Sequence, residues 1–420
     1  MSQRYPKPAG IRQHLQPHGP QAQLEERARP AAWVSESDVD QTAGEPTTFD
    51  PTYGRLADSL PERTALLCVT PYQEAGRQLF RLHWYFNGRP DESRPGDVQM
   101  QGKPDFTVAQ ILKSRNWEDA YFDVLNWWVD KRRLNDWIGG LLEVATQESE
   151  EPIRLVIWDN TDYQIPWELF YSDSNAIWLG AVVQVVRWTS IHDAGRVARF
   201  TAEASACNGG ILALETEDIY GPDGPVLDAP LARYGCTPVR TMKQLLTALD
   251  DPSRRVGLVL VRCHGVYGEN VNEFELGAMR MNRYGEFSML ALRRFPAVVF
   301  LNACDTASAT STGRHSFAAT RSFAELFLRR GACSVVATLG QIDWDFSHDF
   351  AARLLGAEGQ EQRLTDILLE QRRKAVMRTQ GRHEDRDEYD FQAFFQGFAY
   401  VYFGHPDTTL KLVPQAGCPG

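Results

Sequence analysis

Two apolar segments of the chain each end on a residue that can carry covalent chemistry. The segment "RVGLVLVRCHG" runs through Val and Leu to His264 and Gly265, and "FPAVVFLNACDTA" runs through Val, Phe and Leu to Cys304. Apolar runs rich in branched side chains predict buried strands, so each of these residues follows the carboxyl end of a strand. The separation of 40 positions between His264 and Cys304 leaves room for the crossover that joins neighbouring parallel strands. We therefore predict that both side chains lie at one edge of a sheet.

An imidazole beside a thiol suits peptide-bond cleavage. The imidazole takes the proton of the cysteine, or holds it as an ion pair, and later protonates the leaving amine. The attack places negative charge on the former carbonyl oxygen, so backbone N–H donors must already point there. Gly265, which lets the backbone approach a substrate closely, and Cys304 itself are predicted to supply those donors. Each residue also has a plainer explanation, since a strand-end histidine is often structural and a buried cysteine is a common core residue. The matched contexts of the pair favour a catalytic dyad of His264 and Cys304.

Other catalytic motifs are missing from the sequence. It contains no GxxxxGK[ST] loop, no GxGxxG after a strand, no GxSxG and no HExxH. Cys263 and His264 are adjacent, but neighbouring strand residues face opposite ways, so Cys263 is predicted to be core. No second ligand pair lies at zinc-site spacing. The sequence therefore predicts neither a metal site nor a cofactor.

Composition narrows the class of protein. The chain has 420 residues, is 43% hydrophobic and carries a formal net charge of -11, which argues against nucleic-acid and anionic-membrane partners. Seven cysteines without a CxxC pair predict reduced thiols and a cytoplasmic location. The N-terminus shows no signal-peptide core, and no apolar stretch reaches the roughly 18 residues of a membrane span.

The pattern along the chain divides it into three parts. Residues 1–60 are rich in Pro, Gln, Gly and charge and predict a flexible leader. Residues 61–150 predict two strands followed by two tryptophan-rich amphipathic helices, or by one such helix that is broken near Lys131 to Arg133. They would form a smaller α+β region packed on the larger C-terminal part. In that larger part, residues 151–412, strands alternate with helices, which predicts a mainly parallel sheet covered by helices on both faces.

Four landmarks, in this order, carry a family resemblance: "IPWELFY" with "IWLGAVVQVVRW", then "LVRCHG", "VVFLNACDTA" and "FQGFAYVYFGHPD". With them, residues from about 150 to 411 resemble a CHAT peptidase domain, a bacterial branch of the caspase-like cysteine peptidases related to separase. The resemblance implies an α/β fold, the caspase-like three-layer sandwich with a mixed, mainly parallel sheet flanked by helices. It also implies that His264 is the general base, that Cys304 is the nucleophile and that the Gly265 N–H completes the oxyanion site.

The same resemblance implies a biological role. CHAT peptidases are endopeptidases that commonly act in bacterial antiphage defence or cell death, switched on by an activating partner or ligand. Their protein substrates include gasdermin-like pore formers and other co-encoded proteins. Two departures leave activation open: Gly340 stands where the family usually has Trp, and residues 1–150 show no helical repeats. Substrate recognition would then lie in residues 62–150 or on a separate protein.

An acidic pocket residue in this clan selects a basic side chain before the cut. Asp159 follows a predicted strand, Asp343 and Asp345 follow "VVATLGQ", and Asp305 follows Cys304, so these four are the candidate substrate-binding residues. Each also has a structural alternative. Asp345 would cap a helix beginning at Phe346, and Asp305 would stabilise a turn.

Two other functions stay open on the sequence alone. The chain could be a catalytically silent caspase-like binding or scaffold module, although such a module has no need of both His264 and Cys304. It could also be a small-molecule thiol hydrolase or transferase, which the absence of cofactor motifs does not favour.

Overall fold

The computed structural model describes residues 60–74, 77–86, 89–90, 101–102, 104–129, 131–146, 151–159, 161, 163–172, 176–189, 191–193, 196–198, 204–216, 227–268, 273–309, 321–356, 359–380 and 390–413. The predicted leader, residues 1–60, lies outside these residues except for Leu60.

The first part of the described chain forms strands and then three helices, of which the sequence pattern predicts the second and the third. The strands are β1 (Thr64–Glu74), β2 (Arg77–Phe86), β3 (Arg89–Pro90) and β4 (Gln101–Gly102). The helices are α1 (Val108–Ser114), α2 (Trp117–Val129) and α3 (Arg132–Thr146). Thr107 closes the start of α1 with a capping box to Gln110, which satisfies backbone N–H groups that the helix cannot. The tryptophans of these helices pack in the core, where Trp128 is fully buried.

The second part alternates strands with helices. Its strands are β5 (Arg154–Asp159), β6 (Tyr171–Ser172), β7 (Ile177–Trp178), β8 (Gln184–Trp188), β9 (Ile191–Asp193), β10 (Arg196–Ala198), β11 (Ala206–Glu215), β12 (Val256–Arg262), β13 (Gly265–Val266), β14 (Glu275–Leu276), β15 (Met279–Arg280), β16 (Val298–Asn302), β17 (Ser334–Thr338), β18 (Glu361–Arg363), β19 (Tyr400–Phe403) and β20 (Thr409–Leu412). Its helices are α4 (Asp228–Ala232), α5 (Met242–Leu249), α6 (Leu290–Arg294), α7 (Phe323–Arg329), α8 (Trp344–Gly356), α9 (Leu364–Gln380) and α10 (Phe391–Phe398). Short 3₁₀ helices cover Trp167–Leu169, Leu179–Ala181 and Met281–Glu286.

One mixed sheet of 13 of the described strands runs through the protein. Its order is β18, β20, β11, β12, β16, β17, β19, β8, β5, β1, β2 and β3, with β4 also paired to β2. Strands β11, β12, β16 and β17 are parallel, and β19 joins them antiparallel to β17. On its other side β19 pairs parallel with β8, which continues through β5 to β1. The predicted α/β class with a mixed, mainly parallel sheet is therefore confirmed, and β1 and β2 extend this same sheet.

The central strands are buried on both faces because their residues alternate between two apolar layers. In β12, Val259 and Val261 join one core cluster, whereas Leu258 and Leu260 join the other. Helices α1, α2, α3, α5, α6, α7 and α10 contribute to the first cluster. Helices α4 and α8 contribute to the second, and α9 reaches both. This burial on two sides explains why β12 and β16 read as continuous apolar runs.

Local details differ from the sequence pattern. The apolar segment 176–188 has the composition of strand, but the 3₁₀ helix Leu179–Ala181 interrupts it, and Gly180 leaves no room for a side chain beside the Glu168 carbonyl. The segment "FAYVYFG" reads as a final strand before a polar tail, but β20 follows β19 in that tail. The sequence pattern predicted neither helix α1 nor helix α10. Among the described residues, no helix is both long and apolar enough to cross a membrane.

Candidate active site

Strands β12 and β16 are parallel neighbours that end at the same height. Their register pairs Arg262 with Asn302, and His264 and Cys304 each come two residues later. The backbone at Gly265 presses on that of Cys304, because a Cβ built at Gly265 would lie 2.1 Å from the Cys304 carbonyl oxygen. His264 is exposed, Cys304 is partly buried, and Cys263 is buried in the core, as predicted. The two predicted dyad residues are thus at adjacent strand ends.

A tight turn follows Cys304 and is held by the next strand. Asp305 adopts a left-handed conformation with φ of 57°, which is uncommon for a residue other than glycine. Its N–H donates to the Gly340 carbonyl at 3.1 Å, and the Ala307 N–H donates to the Thr338 carbonyl at 2.8 Å. The turn is therefore fixed largely by backbone bonds to the end of β17 and the residues after it.

Two buried threonines brace the residue before the thiol. The Thr306 and Thr338 hydroxyls lie 3.2 and 2.5 Å from the Ala303 carbonyl, to which both donate. The Thr338 N–H in turn donates to the Thr306 hydroxyl at 3.0 Å. This pair fixes where the chain leaves β16 and hence where Cys304 sits. Sequence reasoning missed both threonines, whose only signal was their position after an apolar run.

The environment of the Cys304 thiol favours its protonated form. Burial raises the pKa of this thiol, and the neighbouring Asp305 carboxylate raises it further, whereas N–H groups of Ile342 and Cys304 lower it. Ile342 was also missed, because it follows β17 and is distant from Cys304 in the chain. The resting thiol therefore needs a base before it can attack.

Asp305 brings a carboxyl group beside the thiol. Burial raises the pKa of Asp305 to about 6, against a hydrogen bond with Ser308 and the positive charge of Lys113. Lys113 belongs to α1, so a helix of the first part of the chain reaches the turn after β16. When it is ionised, this carboxyl adds to the rise in the pKa of the neighbouring Cys304 thiol.

Helix α1 packs directly on the loop that follows β17. A Cβ at Gly340 would lie 2.8 Å from the Ala109 Cα and 2.7 Å from the Leu112 Cδ1. The family that the sequence resembles usually has Trp at the position of Gly340. The glycine therefore lets α1 approach the backbone that supports Asp305 and Cys304.

Beneath the nucleophile turn lies a buried polar chain. The Tyr400 hydroxyl donates to the Asn302 carboxamide oxygen, and the Asn302 amide donates to the Ser347 carbonyl at 2.9 Å. Burial raises the pKa of Tyr400 well above its ordinary value, and the nearby Cys304 adds to the shift. Tyr400 lies in the "FAYVYFG" segment that the sequence identified only as a strand.

Asp159 anchors the turn that carries the "PWEL" segment. Its carboxylate accepts from the Thr161 N–H at 2.8 Å, the Thr161 hydroxyl at 2.6 Å and the Trp167 indole N–H at 2.9 Å. Burial raises the pKa of Asp159, although these bonds and Arg187 oppose the rise. Next to Trp167, the buried Glu168 carboxylate accepts two hydrogen bonds from Arg187. Despite the cost of burial, the charge of Arg187 keeps the pKa of Glu168 below its ordinary value.

Three segments meet near the Ala309 carbonyl. The Gln164 side chain donates to it at 2.7 Å, and the Tyr267 hydroxyl donates to it at 3.0 Å. The turn after β5, the loop after His264 and the loop after Cys304 are thereby joined. Gln164 and Ala309 also line a small cavity of about 60 Å³, together with Asp159, Arg187, Arg321 and Glu325.

Asp343 and Asp345 are exposed at the start of α8. The Asp343 carboxylate accepts from the Asp345 N–H at 3.1 Å and the Phe346 N–H at 3.5 Å, so Asp343 caps the helix. The alternative that Asp345 caps a helix beginning at Phe346 is therefore wrong, because α8 begins two residues earlier. Both aspartates border a wide groove of about 800 Å³ between α8, α9 and the start of α10. Within the described residues, no group of three or more His, Cys, Asp and Glu side chains could hold a metal ion.

In a comparison with known protein families, residues 225–399 match the family model of the CHAT domain. This stretch contains His264 and Cys304, whereas the segments around Trp167 and Gly180 precede it. No curated protein sequence matches the chain. One similar solved structure is the complex of Porphyromonas gingivalis RgpB pro- and mature domains, 13% identical, with a TM-score of 0.41 over 64% of this chain and 68% of that chain. A likeness at that level says nothing about activity. Residues 225–399 thus match the CHAT domain, a domain of a caspase-like cysteine peptidase family.

Proposed function

We propose that the protein is a cysteine endopeptidase in which His264 and Cys304 form the catalytic dyad. The observation that supports this most directly is the shared height of β12 and β16, with each residue two positions past the register pair of Arg262 and Asn302. The close backbone packing of Gly265 against Cys304 adds to it. The CHAT match over residues 225–399 supplies the chemical class.

The reaction follows from the groups at this edge. Because burial raises the pKa of the Cys304 thiol, His264 acts as a general base and removes its proton as the sulfur attacks the substrate carbonyl. The N–H groups of Gly265 and Cys304 stabilise the oxyanion. His264 then donates the proton to the leaving nitrogen, the C–N bond breaks, and a water that His264 deprotonates hydrolyses the thioester.

The wider role is also part of the proposal. We place the enzyme in the cytoplasm as an effector of an antiphage defence or cell-death system, acting on a co-encoded protein such as a gasdermin-like pore former and switched on by a partner or ligand. The resemblance of the sequence supports the role, and the partly buried thiol supports the need for activation. Co-expression with each product of the neighbouring genes, followed by intact-mass analysis, tests the target and the trigger.

For substrate selection, we propose that an acidic residue near the dyad receives a basic side chain. Asp159 is favoured among the four because it lines the small cavity that Ala307 and Ala309 also line, even though its carboxylate already accepts three hydrogen bonds from Thr161 and Trp167. Asp343 is disfavoured because its carboxylate caps α8, and Asp345 lies exposed beyond it. Asp305 lies beside the Cys304 thiol and does not line this cavity. A library of proteome-derived peptides will show enrichment of Arg or Lys before the cut if an acidic pocket operates.

The dyad is tested with the full chain, incubated with that library and with any co-encoded protein found to be cleaved. Cys304→Ala and His264→Ala are each expected to lower kcat/KM by at least about 10³-fold. Cys263→Ala, which removes the adjacent core thiol, is the matched control and should keep cleavage. Wild-type cleavage by Cys304→Ala would rule the dyad out.

A labelling experiment separates the enzyme from the two other functions. Iodoacetamide at neutral pH should modify Cys304 in the wild type, and His264→Ala should slow that reaction. An unreactive Cys304, with no cleavage under any co-expression, would favour a scaffold module. Turnover of small thioesters without peptide cleavage would favour a small-molecule hydrolase or transferase.

A further inference from the structure

Two thiols are in contact at the edge of the sheet opposite to the dyad. Cys207 is the second residue of β11, and Cys333 comes immediately before β17. Their sulfur atoms are 3.0 Å apart although the two residues are 126 positions apart in the chain. An S–S bond is about 2.05 Å long, so the sulfurs need to move together by only about 1 Å to bond.

The surroundings hold both cysteines in place. Cys207 pairs with Leu410 of β20. The Cys333 N–H donates to the Ala297 carbonyl at 3.1 Å, and its thiol lies 3.0 Å from the same oxygen. Because both backbones are fixed by strand or turn bonds, the contact between the sulfurs belongs to the fold itself.

The two thiols differ in access and in chemistry. Cys207 is 1% exposed, whereas Cys333 is only partly buried and can meet a small reagent. The hydrogen bond between the thiols lowers the pKa of Cys333 and, together with burial, raises the pKa of Cys207. An oxidant would therefore meet Cys333 first, with Cys207 behind it as the second thiol.

We propose that Cys207 and Cys333 are an oxidation site that forms a reversible intramolecular disulfide on reaction with a hydroperoxide. The Cys333 sulfur attacks one peroxide oxygen, the O–O bond breaks, and water or an alcohol leaves, which gives a sulfenic acid. The Cys207 sulfur then attacks the Cys333 sulfur, the S–O bond breaks, and water leaves with the Cys207 proton. The thiols lose two electrons and the peroxide gains them, and a dithiol reductant reverses the change.

The disulfide would link the N-terminal end of β11 to the residue before β17. In the sheet, β12 and β16 lie between these two strands. The disulfide would close a loop of 126 residues, and long loops are those in which a cross-link most restricts the unfolded chain. Cys304 lies at the opposite edge, so this proposal does not depend on peptidase activity.

The experiment treats the native full chain with hydrogen peroxide, blocks free thiols by alkylation and maps peptides by mass spectrometry without reduction. We expect one cross-linked pair containing Cys207 and Cys333 that has lost two hydrogen atoms, a higher transition temperature, and reversal of both by dithiothreitol. Cys236→Ala, which removes another buried thiol, is the matched control and should keep the cross-link.

The variants sharpen the test. Cys207→Ala should leave Cys333 as a sulfenic acid trapped by dimedone, whereas Cys333→Ala should leave Cys207 reduced. The proposal is overturned if native protein gives no Cys207–Cys333 peptide, if that peptide forms only after unfolding, or if wild-type Cys333 accumulates higher oxides while Cys207 can still be alkylated.

Discussion

Two turns at the carboxyl edge of the sheet are held in different ways. The turn after β5 is fixed by buried side-chain charges, with Asp159 bonded to Trp167 and Glu168 paired with Arg187. The turn after β16 is fixed by backbone bonds and hydroxyl groups, and its partly buried Asp305 carboxyl, with a pKa raised to about 6, lies beside the Cys304 thiol. The difference indicates that the first turn supports the stability of the fold, whereas the second sets the reactivity of Cys304.

The largest expected effect on stability comes from the first turn. Glu168→Ala leaves the buried Arg187 guanidinium without its carboxylate and should lower the free energy of unfolding by about 3–5 kcal/mol. Denaturant titration measures the loss. Glu370→Ala breaks the exposed Glu370–Lys374 pair on α9 and should cost less than about 0.5 kcal/mol. Equal losses in the two variants would contradict the structural role of the first turn.

An intermediate effect is expected where the second turn meets α1. Gly340→Ala forces its Cβ against the Ala109 backbone and should cost about 1–3 kcal/mol, while shifting the Ile342 N–H away from the Cys304 thiol. Cys304 alkylation should then require a higher pH. Gly285→Ala, whose Cβ meets open space, is the control. If folded Gly340→Ala showed the same pH dependence of Cys304 alkylation as the wild type, the packing of α1 on Gly340 would have no influence on the Cys304 thiol.

The smallest expected effect on stability comes from Asp305→Asn. The pKa of Asp305 is raised to about 6 in the fold, so its favourable contribution is complete below about pH 4 and is lost as the pH rises through 6. The variant should therefore be more stable than the wild type by about 1–2 kcal/mol at pH 7, with the difference vanishing near pH 4. Asn tolerates the left-handed conformation at this position.

The same variant tests the reactivity of the thiol. Without the Asp305 charge the pKa of Cys304 should fall, so alkylation at pH 7 should be faster. Asp345→Asn changes an exposed carboxyl on α8 and should leave the alkylation profile as it is. If Asp305→Asn and Asp345→Asn changed the pH dependence of Cys304 alkylation equally, the change would reflect the net charge of the protein. The turn after β16 would then have no special influence on the thiol.

The sequence predicted the parts of the site that lie on strands. The apolar runs before His264 and Cys304 determine two buried strands, and the spacing between them allows a parallel crossover, so their alignment followed from general rules. The class of the sheet followed in the same way from alternating strands and helices.

The parts that come from the rest of the chain were not predictable. Long-range contacts with the nucleophile turn are made by Ile342, Thr338 and Tyr400, and such contacts leave no repeating pattern in the sequence. Gly340 was noted only as a departure from a family pattern. The cap of α8 was assigned to Asp345 and not to Asp343, because helix ends depend on backbone bonds that periodicity does not encode.

Strand β19 lies between β17 and β8, so the residues Tyr400–Phe403 join the half of the sheet that carries β5 and β8 to the half that carries β12 and β16. During synthesis, the ribosome must therefore translate past Phe403 before these halves can hydrogen-bond into one sheet. Until then Asn302 lacks its hydrogen bond from the Tyr400 hydroxyl, and the turn at Cys304 lacks the buried polar chain that packs beneath it. The peptidase activity proposed for this chain would therefore arise only late in translation, which would protect the nascent chain and its neighbours from premature cleavage.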